Sequence, residues 1–169
     1  SNSYHGYGVT DYYQVNPDYG SLEDVKELTK KAHERGMKVI MDLVINHTSN
    51  QHPWFLDARK SKDSKYRDYY VWANSNPDGK DKQSAWHNSL VGQYHAVFYR
   101  GMPDLNYYNP EVQKEVIDIG QFWLKQGIDG FRLDGAKHIF RYEKHEQNVK
   151  WWSKFTEKMR QVDPDAYIV

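Results

Sequence analysis

The segment GFRLDGAKH at residues 130–138 constrains the fold of this chain more than any other. As a β-strand it turns Phe131 and Leu133 to one face and Arg132 and Asp134 to the other, because successive side chains alternate. Helix-patterned segments stand before and after it, which predicts a parallel sheet whose strands are covered by helices. A carboxylate in such a covered strand costs free energy unless it forms an ion pair or has a functional role. Asp134 is therefore either half of a purely structural ion pair with Arg132 or a catalytic group at the C-terminal end of a strand, and the spacing alone leaves both open.

Three amphipathic helices and two further strands are predicted around this segment. The first helix has Ser21 as its cap and ends at Gly36, the second has Asn109 as its cap and ends at Gly127, and the third covers residues 147–162. Residues 38–45, KVIMDLVI, form an apolar run typical of a central parallel strand, and residues 167–169 resemble the start of another. The predicted buried positions of the helices are Leu22, Val25, Leu28 and Ala32, then Val112, Val116, Ile119 and Trp123, then Val149, Trp152, Phe155 and Met159.

A long connection interrupts this alternation of strands and helices. We predict an α/β fold in which residues 1–47 and 109–169 belong to one barrel or doubly wound sheet, and residues 48–108 form an insertion. Short strands are expected at residues 66–72 and 97–99, with a turn at residues 74–79. Most of the aromatic residues of the insertion are expected to form a small core of its own.

The amino-acid composition limits which kinds of ligand or partner molecule the protein is expected to bind. Lys plus Arg and Asp plus Glu each number 23, so no basic stripe indicates nucleic acid or a membrane surface. The chain has no cysteine, which excludes thiolate metal sites but leaves both extracellular and cytoplasmic locations open. Aromatic residues make up 15% of the chain, and their apolar faces suit sugar rings. At 169 residues the chain is shorter than the roughly 250 residues of a complete eight-stranded α/β barrel.

Four motifs carry a resemblance to a known family. They are HGYGVTDYY at residues 5–13, DLVINH at residues 42–47, MPDLN at residues 102–106 and GFRLDGAKH at residues 130–138. In this order and spacing they resemble the α-amylase family, glycoside hydrolase family 13, and within it the neopullulanase-like and intermediate groups. The resemblance implies a partial (β/α)8 TIM barrel whose first motif-bearing strand is followed by a long inserted domain B.

The resemblance also implies roles for individual residues. Asp134 would be the nucleophile of a retaining mechanism, and Arg132 would keep it ionised and oriented, because a nearby guanidinium favours a charged carboxylate. Asp42 would be a supporting carboxylate. Residues expected to contact the sugar are His47, Tyr7, His5, Lys137 and His138.

A structural calcium site is implied as well. Its ligands would be Asn46, Asp104 and the backbone carbonyl of His138, which are the hard oxygen donors that Ca²⁺ prefers. A zinc site is a poor alternative, because the eight histidines show none of the usual ligand spacings.

The predicted activity is cleavage of α-1,4-glucosidic bonds in starch-type glucans. The family's general acid/base is a Glu after the third helix, which this chain does not reach, so we expect it to act as part of a longer protein and to be inactive alone. Alternatives are an α-glucosidase, a neopullulanase, a transglycosylase or a non-catalytic relative used for binding or assembly. Gly8 stands where the family often has Asp, which favours internal cleavage. We expect an extracellular protein, with a cytoplasmic one as the alternative, and the oligomeric state stays open.

Overall fold

The computed structural model describes residues 4–75, 85–140 and 145–169. Its helices are α1 (Leu22–His33), α2 (Pro53–Ala58), α3 (Pro110–Lys125) and α4 (His145–Arg160). Its strands are β1 (Ile40–Leu43), β2 (Trp72–Ala73), β3 (Trp86–Ser89), β4 (Gly92–His95), β5 (Gly130–Leu133) and β6 (Tyr167–Ile168). Short 3-10 turns occur at Pro17–Tyr19, Arg67–Tyr69 and Ala136–His138.

A parallel sheet of order β1-β5-β6 positions the charged residues. In its register Asp42 lies beside Arg132, and Leu43 lies beside Leu133. Phe131 points to the opposite face, where it is fully buried against Phe155 of α4. The predicted parallel sheet and the alternation within the central strand are therefore confirmed.

The three long predicted helices are present, and two of them begin at the predicted caps. Ser21 and Asp24 form a reciprocal capping box at the start of α1. At the start of α3, the Asn109 side chain accepts a hydrogen bond from the amide of Glu111, and Pro110 occupies the first helical position. Each cap satisfies an amide that would otherwise lack a partner at the helix end.

Two of the predicted buried helix positions are wrong. Leu28 of α1 is 59% exposed and Val149 of α4 is 52% exposed. The buried stripe of α1 passes through its neighbour Thr29, and the stripe of α4 passes through Asn148 and three residues at helical spacing after it, Trp151, Phe155 and Met159. The predicted positions Ala32, Phe155 and Met159 are buried, so each helix departs from its predicted stripe at only one or two positions. The elements that pack against each helix decide which neighbouring residue is covered at those positions.

The insertion holds a second, antiparallel sheet of order β2-β4-β3. Its core contains Phe55 and Tyr70, each 2% exposed, with rings 5.0 Å apart. Most of the aromatic side chains described in this region pack on one another, but they share one hydrophobic cluster with barrel residues such as Leu43 and Phe131. The expectation of a separate core for the insertion is therefore wrong, because the insertion packs directly on the end of the parallel sheet and on the opening loop.

The short strands predicted in the insertion are largely wrong. Arg67–Tyr69 is a 3-10 turn, in which the amides of Tyr69 and Tyr70 donate to carbonyls three residues earlier. The Arg67 guanidinium stacks 3.5 Å from the Trp72 ring and donates to the carbonyl of Val91. Residues 97–99 lie beyond the end of β4, where the Val97 amide donates to the Asp104 side chain. Of the turn predicted at 74–79, the first two residues form a bend and the rest lie outside the described residues.

No helix within the described ranges is sufficiently long and apolar to cross a membrane.

Candidate active site

Arg132 lies at the centre of a charged cluster formed by the ends of β1 and β5. Its Nη1 atom donates to Oδ1 of Asp134 over 2.6 Å and to both carboxylate oxygens of Asp42 over 3.1 Å. Tyr7, from the opening loop, donates its hydroxyl proton to Oδ2 of Asp42 over 3.1 Å. One guanidinium thus bridges two carboxylates at the carboxyl edge of a parallel sheet, where catalytic groups of such folds gather.

The electrostatics of this cluster follow from the contacts. The hydrogen bond from Arg132 to Asp42 raises the pKa of the guanidinium, with Asp134 adding to the effect. The hydrogen bond to Asp42 likewise raises the pKa of the Tyr7 phenol. Both shifts favour the protonated donors, so the cluster keeps two acceptor carboxylates and their donors in a fixed arrangement near neutral pH.

His47 is buried beneath the opening loop. Its Nε2 donates to the backbone carbonyl of Tyr7 over 3.1 Å, which makes Nδ1 the acceptor, 3.4 Å from the side-chain nitrogen of Asn46. Burial lowers the pKa of His47, with Asp104 opposing that effect. The imidazole is therefore neutral and held by its neighbours at the end of β1.

The opening loop brings His5 beside Tyr7. Their rings are stacked with centroids 5.7 Å apart, and Nδ1 of His5 accepts a hydrogen bond from the Tyr7 amide. His5 is exposed, whereas Tyr7 is partly covered. The two aromatic rings therefore border the Arg132 cluster from one side.

The turn after β5 borders the cluster from the other side. Gly135 has φ +65°, and a Cβ atom there would lie 3.1 Å from the Cβ of Asn46, so this close approach requires glycine. Lys137 is exposed, and its carbonyl accepts a hydrogen bond from Asn148 of α4. The His138 ring lies 5.2 Å from that of Phe98, so the structure brings this turn against the insertion.

Phe98 is a candidate site residue that the sequence did not single out. Its ring meets those of His47 and His138 edge to face, at 5.5 and 5.2 Å, while 48% of the residue is exposed. An aromatic ring that joins two predicted sugar-binding histidines and still faces solvent is suited to contact a sugar. The sequence signal is VFY at residues 97–99, an apolar run that by itself predicts a strand.

The side chains of Asn46 and Asp104 are hydrogen-bonded to each other next to His47. The Asn46 side-chain nitrogen donates to Oδ1 of Asp104 over 3.1 Å, and Oδ1 of Asn46 is buried without a hydrogen-bond partner among the described residues. An orphaned amide oxygen next to a carboxylate fits a hard cation. Within the described ranges, no three His, Cys, Asp or Glu side chains cluster to bind a metal, so such an ion would depend on amide and carbonyl oxygens.

Comparisons with known proteins agree with this geometry. The family profile described as "Alpha amylase, catalytic domain" matches residues 1–169. Alpha-amylase 3 of Dictyoglomus thermophilum is 48% identical over 169 residues, which are 100% of this chain and 33% of that protein. Oligo-1,6-glucosidase of Parageobacillus thermoglucosidasius is 43% identical over 143 residues, covering 79% of this chain and 25% of that protein. The crystal structure of alpha-amylase from H.orenii matches with a TM-score of 0.93 and 56% identity, over 99% of this chain and 35% of that one.

The parallel sheet, its flanking helices and the structural match define the class of fold, a partial (β/α)8 TIM barrel with a long insertion after one strand. The chain belongs to the alpha-amylase family, glycoside hydrolase family 13. The predicted fold class and family are therefore confirmed. The chain spans 33% of the length of its Dictyoglomus relative.

Proposed function

We propose that this chain is the nucleophile-bearing part of a retaining glycosidase, an α-amylase that cleaves α-1,4-glucosidic bonds of starch-type glucans. The observation that carries the proposal is the Arg132 bridge to Asp134 and Asp42 at the carboxyl edge of the sheet. A nucleophilic carboxylate must be fixed in direction, and a guanidinium donor at 2.6 Å does this.

Asp134, rather than Asp42, is the proposed nucleophile. Both oxygens of Asp42 accept hydrogen bonds, two from Arg132 and one from Tyr7. Asp134 meets Arg132 through Oδ1, and its side chain is 22% exposed, so Oδ2 has lone pairs available for the anomeric carbon of a sugar. Asp42 thus holds Arg132 in place while Asp134 reacts.

The remaining predicted residues would bind the sugar in the reactive subsite. The Tyr7 ring would stack on the sugar face, with His5 beside it, and His47 would share its Nε2 proton between the Tyr7 carbonyl and a sugar hydroxyl. Phe98 would close the opposite side. On the leaving-group side, Lys137 and His138 would contact the next sugar.

A second carboxyl group must protonate the leaving oxygen. Asp42 is unsuited to this step, because both of its oxygens already accept hydrogen bonds from Arg132 and its Oδ2 accepts another from Tyr7. The acid would therefore come from another part of a longer protein, and we expect the isolated 169 residues to release no reducing ends from soluble starch.

We also propose that calcium binds at Asn46 and Asp104, with the His138 carbonyl as a further ligand. The buried, unpartnered Oδ1 of Asn46 supports this proposal. The ion would attach the insertion to the end of β1. Chelation with EDTA should then lower the melting temperature of the full-length protein, and added Ca²⁺ should restore it.

The test of the proposed activity uses the full-length protein that contains this chain, with maltoheptaose as substrate. We expect hydrolysis with retention of the α-anomer, detected by NMR, and a loss of about a thousandfold or more in kcat for Asp134→Asn. Asp165→Asn, at an exposed aspartate in the turn before β6, is the matched control and should keep full activity. Wild-type activity in Asp134→Asn would refute the assignment of the nucleophile.

The similarity to an oligo-1,6-glucosidase supports a second candidate, an α-glucosidase that removes terminal glucose. Product analysis separates the two activities. Early release of maltotriose or maltotetraose from maltoheptaose would indicate internal cleavage, whereas early release of glucose, together with hydrolysis of isomaltose, would indicate the glucosidase.

A further inference from the structure

His95 ends β4 of the insertion and reaches the edge of the candidate active site. Its Nδ1 lies 2.6 Å from Oδ2 of Asp104, and the two side chains are only 11% and 7% exposed. Because a carboxylate accepts hydrogen bonds, Nδ1 carries the proton and donates it. The backbone adds a second link, since the Asp104 amide donates to the His95 carbonyl over 3.0 Å.

Asp104 in turn contacts the segment that carries the sugar-binding histidine. Its Oδ1 accepts a hydrogen bond from Asn46, and its backbone forms an antiparallel bridge with His47. Two further backbone hydrogen bonds connect the same segments, from Thr48 to the Pro103 carbonyl and from Leu105 to the Asn46 carbonyl. Residues 46–48 and 103–105, called the junction here, therefore connect the insertion to the end of β1.

We propose that His95 is a positioning residue of the active site, which fixes the Asp104 carboxylate and through it the junction that carries His47. The part of this proposal that concerns catalysis rests on the proposed glycosidase function. Asp104 Oδ2 receives hydrogen bonds from the His95 ring and from the Val97 amide. Both donors come from the end of β4, so together they set which carboxylate oxygen faces Asn46.

The chemistry of the contact suggests three substitutions. In His95→Asn, the side-chain nitrogen is attached to Cγ, as Nδ1 is, so it can donate to Asp104 from the same place. In His95→Gln, the nitrogen lies one bond further out, in the position of Nε2, and cannot reproduce the contact. In His95→Phe, the ring is kept, together with its edge contact to Trp86 at 5.0 Å, but the donor is lost.

The positioning role of His95 is tested by measuring amide hydrogen exchange and the kinetics of maltoheptaose hydrolysis for the full-length protein and for these three variants. We expect His95→Phe and His95→Gln to raise exchange at the amides of Thr48, Val97 and Leu105, while amides of the β1 and β5 ladder exchange as in wild type. His95→Asn should restore slow exchange. We expect kcat to fall by about 10- to 100-fold in the Phe and Gln variants with little change in KM, because a displacement of about 1 Å costs this much.

The exchange and kinetic results separate a failure of the proposed His95 role from a failure of the proposed glycosidase function. Wild-type exchange at the junction in His95→Phe would overturn the proposal, and so would rescue by Gln rather than Asn. Faster exchange throughout the sheet would also overturn it, because the role of His95 would then be general stability. If the exchange pattern appears but the wild-type protein cleaves no glucan, the positioning of the junction stands and the proposed glycosidase function fails.

Discussion

At the residue scale, His52 shows how burial turns a polar side chain into a pH-sensitive element of stability. It is 4% exposed, and its Nδ1 caps α2 by accepting a hydrogen bond from the Trp54 amide. Burial lowers the pKa of His52 to about 4, against an opposing effect of Asp11. An acceptor nitrogen in an apolar place must stay unprotonated, so acid acts against the folded state here.

The sign of the pH dependence follows from linkage. Between the unfolded pKa of about 6.5 and the folded pKa of about 4, the unfolded chain binds a proton at His52 that the folded chain does not. The free energy of unfolding therefore decreases as the pH falls through this window, by up to about 3 kcal/mol from this group, and levels off below it.

We predict that His52→Asn weakens this acid sensitivity, because the Asn oxygen can keep the cap but does not bind a proton in this range. Urea unfolding at pH 7.0 and pH 4.5 should show a smaller difference for the variant than for wild type. The exposed His145→Asn, which also removes an imidazole, is the comparison. An unchanged difference between the two pH values in His52→Asn would contradict the prediction.

At the element scale, β6 depends on a close approach to β5. The amide of Tyr167 donates to the Asp129 carbonyl, and the amide of Val169 donates to the Phe131 carbonyl. A Cβ atom at Gly130 would lie 1.9 Å from the Tyr167 carbonyl oxygen, a distance that forces the strands apart. Glycine at the start of β5 is thus a condition for pairing the third strand of this sheet.

Gly130→Ala should therefore separate β6 from β5. We expect a loss of about 3 kcal/mol or more in the free energy of unfolding, since a backbone atom cannot move aside as a flexible side chain can. Chemical denaturation gives the magnitude, and hydrogen exchange at the amides of Tyr167 and Val169 locates the damage. Exchange at these two amides as slow as in wild type would show that the sheet accommodates the methyl group.

At the scale of the whole molecule, the two ends of β5 carry two separate charged clusters. Asp129, just before the strand, accepts hydrogen bonds from Lys38, His33 and the Val39 amide, at 2.7 to 2.8 Å. These contacts connect the end of α1, the start of β1 and the start of β5. The cluster of Arg132 and Asp134 lies at the other end, which is the division between stability and catalysis expected of a barrel.

The Asp129 contacts also set a pH dependence. Burial raises the pKa of this carboxyl, but the hydrogen bonds from Lys38, Val39 and His33 outweigh it, so the pKa is lowered. A carboxyl with a lowered folded pKa contributes stability above its unfolded pKa of about 3.9, and that contribution is lost as the pH falls through the folded value.

We predict opposite phenotypes for two matched substitutions in the full-length protein. Asp129→Asn should lower the free energy of unfolding by about 1 to 3 kcal/mol, because charged hydrogen bonds are lost, while kcat per folded molecule is kept. Asp134→Asn should lower kcat by about a thousandfold or more, with a smaller loss of stability. Denaturation curves and turnover numbers at 25 °C test both, and a catalytic defect in Asp129→Asn would show that the two ends of β5 are coupled.

The local sequence determined the order of the elements and the polarity of their faces. Strand alternation placed Arg132 and Asp134 on one side of β5 and Phe131 on the other, and the caps at Ser21 and Asn109 marked the starts of helices. These features depend on neighbours within a few residues, which is why they could be read in advance. Four spaced motifs were enough to identify the family.

Only the tertiary structure decided which residues that are distant in the sequence contact one another. The register of β1 with β5 brought Asp42 to Arg132, and the opening loop brought Tyr7 to Asp42, although 90 and 35 residues, respectively, separate these pairs. The same reason explains why Leu28 and Val149 are exposed. It also explains why Phe98 lies between two histidines and why His95 donates a hydrogen bond to Asp104. Such contacts depend on how sheet, insertion and loops pack together, and no periodicity along the chain encodes that packing.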